Sequence, residues 1–113
     1  MKSKIIFTLI LAFTFLSFDN IITCSIETSE GTILIELYPE KAPITVANFL
    51  KYVDEGLYTN SSFFRVTTQE NEAERDIKIE VIQGGNIDET KSFPPIKMET
   101  TEQTCINHLN GTL

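Results

Sequence analysis

Histidine occurs once in the 113 residues, at position 108, and cysteine twice, at positions 24 and 105. No C-x-x-C pair is present, so the nitrogen and sulfur ligands that structural and catalytic metal sites need are too few. No metal centre and no cofactor is expected. One isolated pair of cysteines is no disulfide framework, although Cys24 and Cys105 could bridge in an oxidising compartment; Cys105 is expected to be a small buried residue. Basic residues are also scarce. Nine Lys and Arg stand against 16 Asp and Glu, a formal net charge of −7. So acidic a surface repels phosphate backbones, which excludes nucleic acid as a partner. No glycine-rich loop leads from a strand into a helix, so there is no phosphate cradle. Ser61, Ser62 and Ser92 lack a nucleophile-elbow context. Repeats and low-complexity tracts are missing too, and the acidic residues read as solubilising groups on loops and solvent faces.

Long hydrophobic runs are limited to one. Residues 5–18 carry no charge, and Lys2 and Lys4 precede them. The run is shorter than the roughly 20 residues a membrane span needs, and it fits a secretory signal. Residues 1–24 are therefore expected to be a signal peptide, with the protein exported to the periplasm or secreted and no stable membrane span. Three alternatives stay open: an uncleaved N-terminal anchor, a buried helix, and a lipid anchor on Cys24. Ile21-Ile22-Thr23-Cys24 resembles a lipoprotein box with Thr where Gly, Ala or Ser is usual. Removing the leader takes away two lysines and one aspartate, and moves the net charge from −7 to −8.

Residues 24–29 and 32–38 flank Glu30-Gly31 and predict an antiparallel hairpin, with glycine where the turn needs positive φ. Ile33, Ile35 and Leu37 alternate with Thr32, Leu34, Glu36 and Tyr38. Apolar residues stand on both faces, so both are expected to be covered, as in a barrel with helices over its ends. Residues 39–56 predict a helix. Pro43 suits its first turn, Val46, Phe49, Leu50 and Val53 form one apolar stripe, and Gly56 stops it. Phe63 to Val66 reads as a strand, 67–76 as a solvated loop, and Ile77, Ile79 and Val81 as a second alternating strand, with Gln83 on the face of Ile79 and Val81. Residues 86–108 are loop-rich, and Pro94-Pro95 exclude a central strand there. "LNGTL" reads as the start of another strand. Asn60-Ser61-Ser62 and Asn110-Gly111-Thr112 are glycosylation sequons.

With nucleophiles and proton shuttles set aside, one reaction fits what remains. Rotation about an X–Pro bond meets a barrier of about 18–20 kcal/mol and takes tens to hundreds of seconds uncatalysed. A site need only hold the proline ring on an apolar surface, donate from a fixed guanidinium to the pyramidal amide nitrogen, and grip the neighbouring carbonyl with a side-chain amide. Each tenfold gain in rate requires about 1.4 kcal/mol, within reach of one charged hydrogen bond.

"GTILIELYPEKAPITVANFLKYVDEGLY", then "FFRV" and "VIQGG", resemble the cyclophilin-type peptidyl-prolyl cis-trans isomerases. The string G-T-x-x-x-x-L-x-P-x-x-A-P-x-T-x-x-N-F is specific, and the resemblance runs from about Ser25 to the C-terminus. It implies a mainly β fold, an antiparallel eight-stranded β-barrel capped by two helices, with residues 45–55 as the first. It implies Arg65 as the catalytic residue, Gln83 as the substrate-gripping amide, and Val81 in the proline pocket where methionine is common. Phe64 lies on the substrate side where histidine is usual, and Glu80 stands where a pocket phenylalanine is common. The implied substrates are proline-containing peptides and unfolded clients, handled by a monomer. Residues 25–113 are expected to carry roughly the N-terminal two-thirds of such a domain, so the barrel is incomplete in this chain. The alternative readings are a non-catalytic module that binds proline peptides, and an inactive fragment.

Overall fold

A computed structural model describes residues 19–72, 74–85 and 88–113. The hydrophobic run of the expected signal peptide lies outside the described residues. Within them the fold is mainly β with few helices: β1 (Ile22–Thr28), β2 (Gly31–Leu37), α1 (Pro43–Asp54), β3 (Phe63–Thr67), β4 (Val81–Gly84) and the short α2 (Thr101–Thr104). The strands form two antiparallel pairs, β1 with β2 and β3 with β4. A closed barrel is not formed among them.

The first hairpin follows the alternation of its sequence, with one shift. Its two-residue loop is Ser29-Glu30, because Thr28 pairs with Gly31. Gly31 takes φ +138°, and the Thr28 hydroxyl donates to the Gly31 carbonyl at 2.7 Å. Strand β1 starts at Ile22, two residues before the expected start, since Ile22 finds Leu37 as its cross-strand partner. Ile22, Cys24 and Ile26 face Leu37, Ile35 and Ile33 on one side of the sheet. That side packs on α1. Ile35, Leu37 and Val46 are buried, with Ile22, Cys24, Ile26, Ala42, Phe49 and Leu50 half-buried around them. The other side carries Thr23, Ser25, Glu27, Thr32 and Glu36, and its one large apolar residue, Leu34, is 72% exposed. Among the described residues, only one face is therefore covered, against the expectation of two.

Helix α1 has Pro43 at its start and a stop in which two carbonyls of its last turn accept from residues beyond it. Leu57 N–H donates to the Tyr52 carbonyl and Gly56 N–H to that of Val53. Gly56 takes φ +66°, the left-handed conformation such a stop requires. Of the expected stripe, Val46 is buried and Phe49 and Leu50 half-buried, but Val53 is exposed. The first hairpin covers the middle of α1 and not its last turn.

The N-terminus of α1 is capped from far away. Ala42 has no side chain that can accept a hydrogen bond. The Glu99 carboxylate does this instead: Oε1 accepts from Ile44 N–H at 3.0 Å, and Oε2 from Thr45 N–H at 2.8 Å and the Thr45 hydroxyl at 2.7 Å. Free N–H groups and the helix dipole both favour an anion here. Near the other end of the helix, Phe93 N–H donates to the Tyr52 hydroxyl at 2.8 Å, the two rings meet edge to face at 4.7 Å, and Lys51 Nζ sits 3.7 Å from the Phe93 ring centre. Residues 93–99 thus form a strap running antiparallel to α1, pinned at both ends.

Three further expectations are corrected. Cys105 is exposed, and it ends α2 in the left-handed conformation at φ 57°. Both cysteines are free thiols. Residues 109–112 form a turn and not a strand: Thr112 N–H returns to the Leu109 carbonyl at 3.2 Å, and the Thr112 hydroxyl accepts from Leu109 N–H at 2.9 Å. Residues 77–80 stay out of β4 for a reason given below.

The Glu99 cap gives a pH-dependent prediction. Half-burial raises its pKa, but the N–H groups of Thr45 and Ile44 and the Thr45 hydroxyl outweigh that, and the carboxyl lies below the ordinary 4.5. A folded-state pKa below the unfolded one stabilises above the unfolded value, and the gain is lost as pH falls toward the folded value. Glu99→Gln should therefore lower Tm at pH 7, and the gap from the parent protein should close as pH falls below 4.5. Thermal melts across that range by circular dichroism test it.

Candidate functional site

Strands β3 and β4 bring together two of the expected residues. Arg65 pairs directly with Gln83, Val66 with Ile82 and Thr67 with Val81, so Arg65, Gln83, Thr67 and Val81 share one face. The Arg65 Nη1 group donates to Gln83 Oε1 at 3.5 Å, a contact at the long limit of a hydrogen bond. Both side chains are exposed, and among the described residues Arg65 makes no ion pair. Its remaining donors are available to a ligand. Val81 lies two positions from Gln83 on the same face, 45% exposed.

The register is irregular at one place. Phe63 pairs with Gly84, while Arg65 pairs with Gln83, which leaves Phe64 as an extra residue. This is a β-bulge. Without it, Phe63 and Arg65 would alternate onto the same face. With it, the Phe63 ring lies over Gly84 and Arg65 lies beside Gln83. Phe64 itself is 56% exposed next to Arg65.

The two glycines after Gln83 have separate reasons. A Cβ at Gly84 would stand 2.7 Å and 2.9 Å from two atoms of the Phe63 ring. At Gly85 the backbone takes φ +87°, and a Cβ would stand 3.1 Å from the Tyr58 ring. Tyr58 packs in turn on Phe49 at 5.6 Å and Tyr52 at 5.8 Å between ring centres. Burial pushes its phenol pKa up, and Tyr52 adds to this. The same ring therefore touches α1 and the end of β4. Tyr58 is held in place by a turn in which Ser61 Oγ donates to its carbonyl at 2.8 Å.

The loop between the strands is more ordered than its polar composition implies. Asn71 accepts from Thr68 N–H at 2.7 Å and donates to the Val66 carbonyl at 3.0 Å. Glu72 accepts from Ile79 N–H at 3.2 Å and lies 3.9 Å from Arg75. Lys78 Nζ donates to the Gln69 carbonyl at 2.9 Å. These bonds divert residues 77–80 into the loop, so the apolar alternation of Ile77 and Ile79 does not become strand. Pairing starts at Val81, whose N–H donates to Thr67 Oγ1 at 3.1 Å, and Thr67 is buried. Beside Val81 an open hollow of about 930 Å³ is lined by Ile79, Glu80, Val81, His108, Leu109, Asn110, Thr112 and Leu113. Arg65, Gln83 and Phe64 do not line it. No group of His, Cys, Asp and Glu among the described residues could hold a metal ion.

Residues 23–113 match the family described as cyclophilin type peptidyl-prolyl cis-trans isomerase/CLD. The chain belongs to the cyclophilin-type isomerase family. The similar proteins include peptidyl-prolyl cis-trans isomerase B of Escherichia coli, 36% identical over 86 residues, which are 76% of this chain and 43% of that protein. A peptidyl-prolyl cis-trans isomerase of Acinetobacter baylyi is 38% identical over 91 residues, 77% of this chain and 42% of that one. Isomerase A of Dickeya dadantii is 32% identical over 90 residues, 76% and 41% of the two chains. The chain spans less than half the length of these bacterial relatives. No solved structure matches it.

Sequence reasoning singled out Arg65, Gln83, Val81 and Phe64, and missed the residues that hold them. Phe63 and Thr67 carry the weak signal of an aromatic and a β-branched residue in a strand. Glu99 carries none, because its partners lie 54 and 55 positions away.

The Phe63–Gly84 contact yields a prediction. Gly84→Ala should force the Phe63 ring off β4 and destabilise this hairpin by about 1–3 kcal/mol, the usual cost of overpacking. Chemical denaturation followed by tyrosine fluorescence, with Tyr58 reporting on the end of β4, measures it.

Proposed function

We propose that the protein is a peptidyl-prolyl cis-trans isomerase that speeds rotation about X–Pro bonds in unfolded or extended clients, working as a monomer. The observation that carries the reading is the direct cross-strand pairing of Arg65 with Gln83, with Val81 on the same face. In the proposed mechanism the proline ring rests on Val81, and the exposed ring of Phe64 adds apolar contact. Gln83 donates from its amide nitrogen to the carbonyl of the residue before proline. As the C–N bond twists, the amide nitrogen loses its resonance and gains a lone pair. Arg65 donates an N–H to that lone pair. The positive charge acts only where electron density has moved, so it binds the twisted state more tightly than either planar isomer. No electron, proton or group is transferred, so the reaction needs no cofactor. The two strand pairs are read as parts of the family's eight-stranded antiparallel barrel, with α1 over one end.

Export is the second part of the proposal. Its support is the charged start and apolar run of residues 1–18. Among the described residues no helix is long and apolar enough to cross a membrane. The domain then occupies residues 25–113. Ile22, Thr23 and Cys24 open β1, and Cys24 is half-buried against the core, so a cut before residue 22 would keep that strand whole and a cut at residue 24 or 25 would shorten it.

Two measurements follow. In a protease-coupled isomerisation assay, Arg65→Ala should lower kcat/KM about 100-fold or more, in the range of losing one charged transition-state donor. Gln83→Ala should lower it about 5- to 30-fold, as for one substrate hydrogen bond of about 1–2 kcal/mol, with Tm little changed. An unchanged rate for Arg65→Ala would end the catalytic assignment and leave a module that binds proline peptides. For export, intact-mass measurement on secreted material should show a chain beginning near residue 24. A mass that still includes Met1 would refute cleavage, and an added lipid mass would establish the anchor.

A further inference from the structure

Two of the chain's four prolines, Pro94 and Pro95, lie in the strap on α1. The strap is held on either side of them: Phe93 N–H donates to the Tyr52 hydroxyl at 2.8 Å, and the Glu99 carboxylate caps Ile44 and Thr45. The bonds Phe93–Pro94 and Pro94–Pro95 therefore stand between the two pins. No peptide bond among the described residues is cis. A residue before proline is confined to extended backbone, so Phe93 and Pro94 make this part of the strap stiff. The pinned helix residues, Ile44 and Tyr52, are about 12 Å apart along the α1 axis, eight steps of about 1.5 Å. With both bonds trans the strap runs straight over that distance. A cis bond brings the flanking Cα atoms to about 2.9 Å instead of about 3.8 Å and turns the stiff segment away. Phe93 then cannot meet Tyr52 while Glu99 holds the helix start.

An unfolded chain does not keep both bonds trans. Each X–Pro bond is about 10–30% cis in unfolded peptides, so roughly a fifth to a half of the chains carry at least one cis bond in the strap. Those chains wait for a rotation that takes about 10–100 s unaided. That rotation is the reaction assigned above to the Arg65–Gln83 face, and the strap suits such a face. Pro94 and Pro95 are exposed, and the segment belongs to neither a strand nor a helix. Among the described residues no hydrogen bond is made to the carbonyl of Phe93 or of Pro94, which leaves each open to the Gln83 amide. We propose that the strap of an incompletely folded copy of this chain is a substrate of the Arg65–Gln83 face of a folded second copy, which returns Phe93–Pro94 and Pro94–Pro95 to trans so that the strap can dock. The catalysis rests on the proposed function; the need for trans bonds rests on the two pins alone.

The test is double-jump refolding of the full chain, followed by tyrosine fluorescence, with Tyr52 reporting the docking of the strap. The chain is held unfolded in guanidinium either briefly or for many minutes, and then refolded. The long delay should add a slow phase of about 10–100 s that carries roughly a fifth to a half of the amplitude. Pro94→Ala combined with Pro95→Ala should remove that phase, and because both positions are exposed the variant should still fold. Folded parent protein added to the refolding mixture should speed the phase several-fold, in proportion to its concentration, whereas folded Arg65→Ala should not. The proposal is overturned if no slow phase follows the long delay, or if the phase survives the loss of both prolines. It is equally overturned if folded parent leaves the rate unchanged. Exchange of a short X–Pro peptide is read with the same folded samples. Peptide exchange without any effect on the strap phase would sink this proposal alone, and failure of both would sink the isomerase assignment with it.

Discussion

The arrangement of the candidate site depends on the register between β3 and β4. Antiparallel pairing with a period of two places every side chain on one face or the other, and a slip of one residue reverses them all. Here the register is fixed at two points. At one end, Val81 N–H bonds to the hydroxyl of buried Thr67. At the other, the Phe63 ring fills the space that only a glycine at position 84 leaves open. The bulge at Phe64 reconciles the two, because it lets Phe63 and Arg65 point to opposite faces. Arg65 and Gln83 then meet as direct partners, a geometry that flexible loops would not hold.

Around this hairpin, long-range contacts substitute for a large core. Among the described residues no side chain is fully buried, and the covered apolar residues are few. Order comes from a strap on α1 held by Glu99 at one end and by Phe93 on Tyr52 and Lys51 at the other. Tyr58 extends the aromatic cluster to Gly85, which links the helix to the end of β4. The Gln83-Gly84-Gly85 string is thus a polar side chain followed by Gly84, where the Phe63 ring occupies the place of a Cβ, and Gly85, whose φ of +87° disfavours one.

Much of this was legible in the residues themselves. Alternation located the first hairpin to within two residues, and Pro43 and Gly56 bounded α1. The shared face of Val81 and Gln83 followed from the strand period, and the family string led to Arg65. What failed did so where side chains compete for backbone groups. Ile77 and Ile79 carry a strand pattern, yet Glu72 takes the Ile79 N–H and the loop takes the segment. Residues 109–112 look extended, but Thr112 closes them into a turn. Cys105 is apolar enough for a core, but it occupies a left-handed helix end. None of these is visible to a periodicity argument, because each depends on one specific hydrogen bond or dihedral.

The central claim is that the bulge places Phe63 on Gly84 and Arg65 on Gln83. Nuclear Overhauser contacts in the β3–β4 hairpin test it most directly. The Phe63 ring protons should contact one Gly84 Hα and shift it upfield, and Arg65 should show cross-strand contacts to Gln83. Contacts from Phe64 to Gly84, with Arg65 opposite Ile82 or Gly84, would mean a different register and would contradict the account of the site.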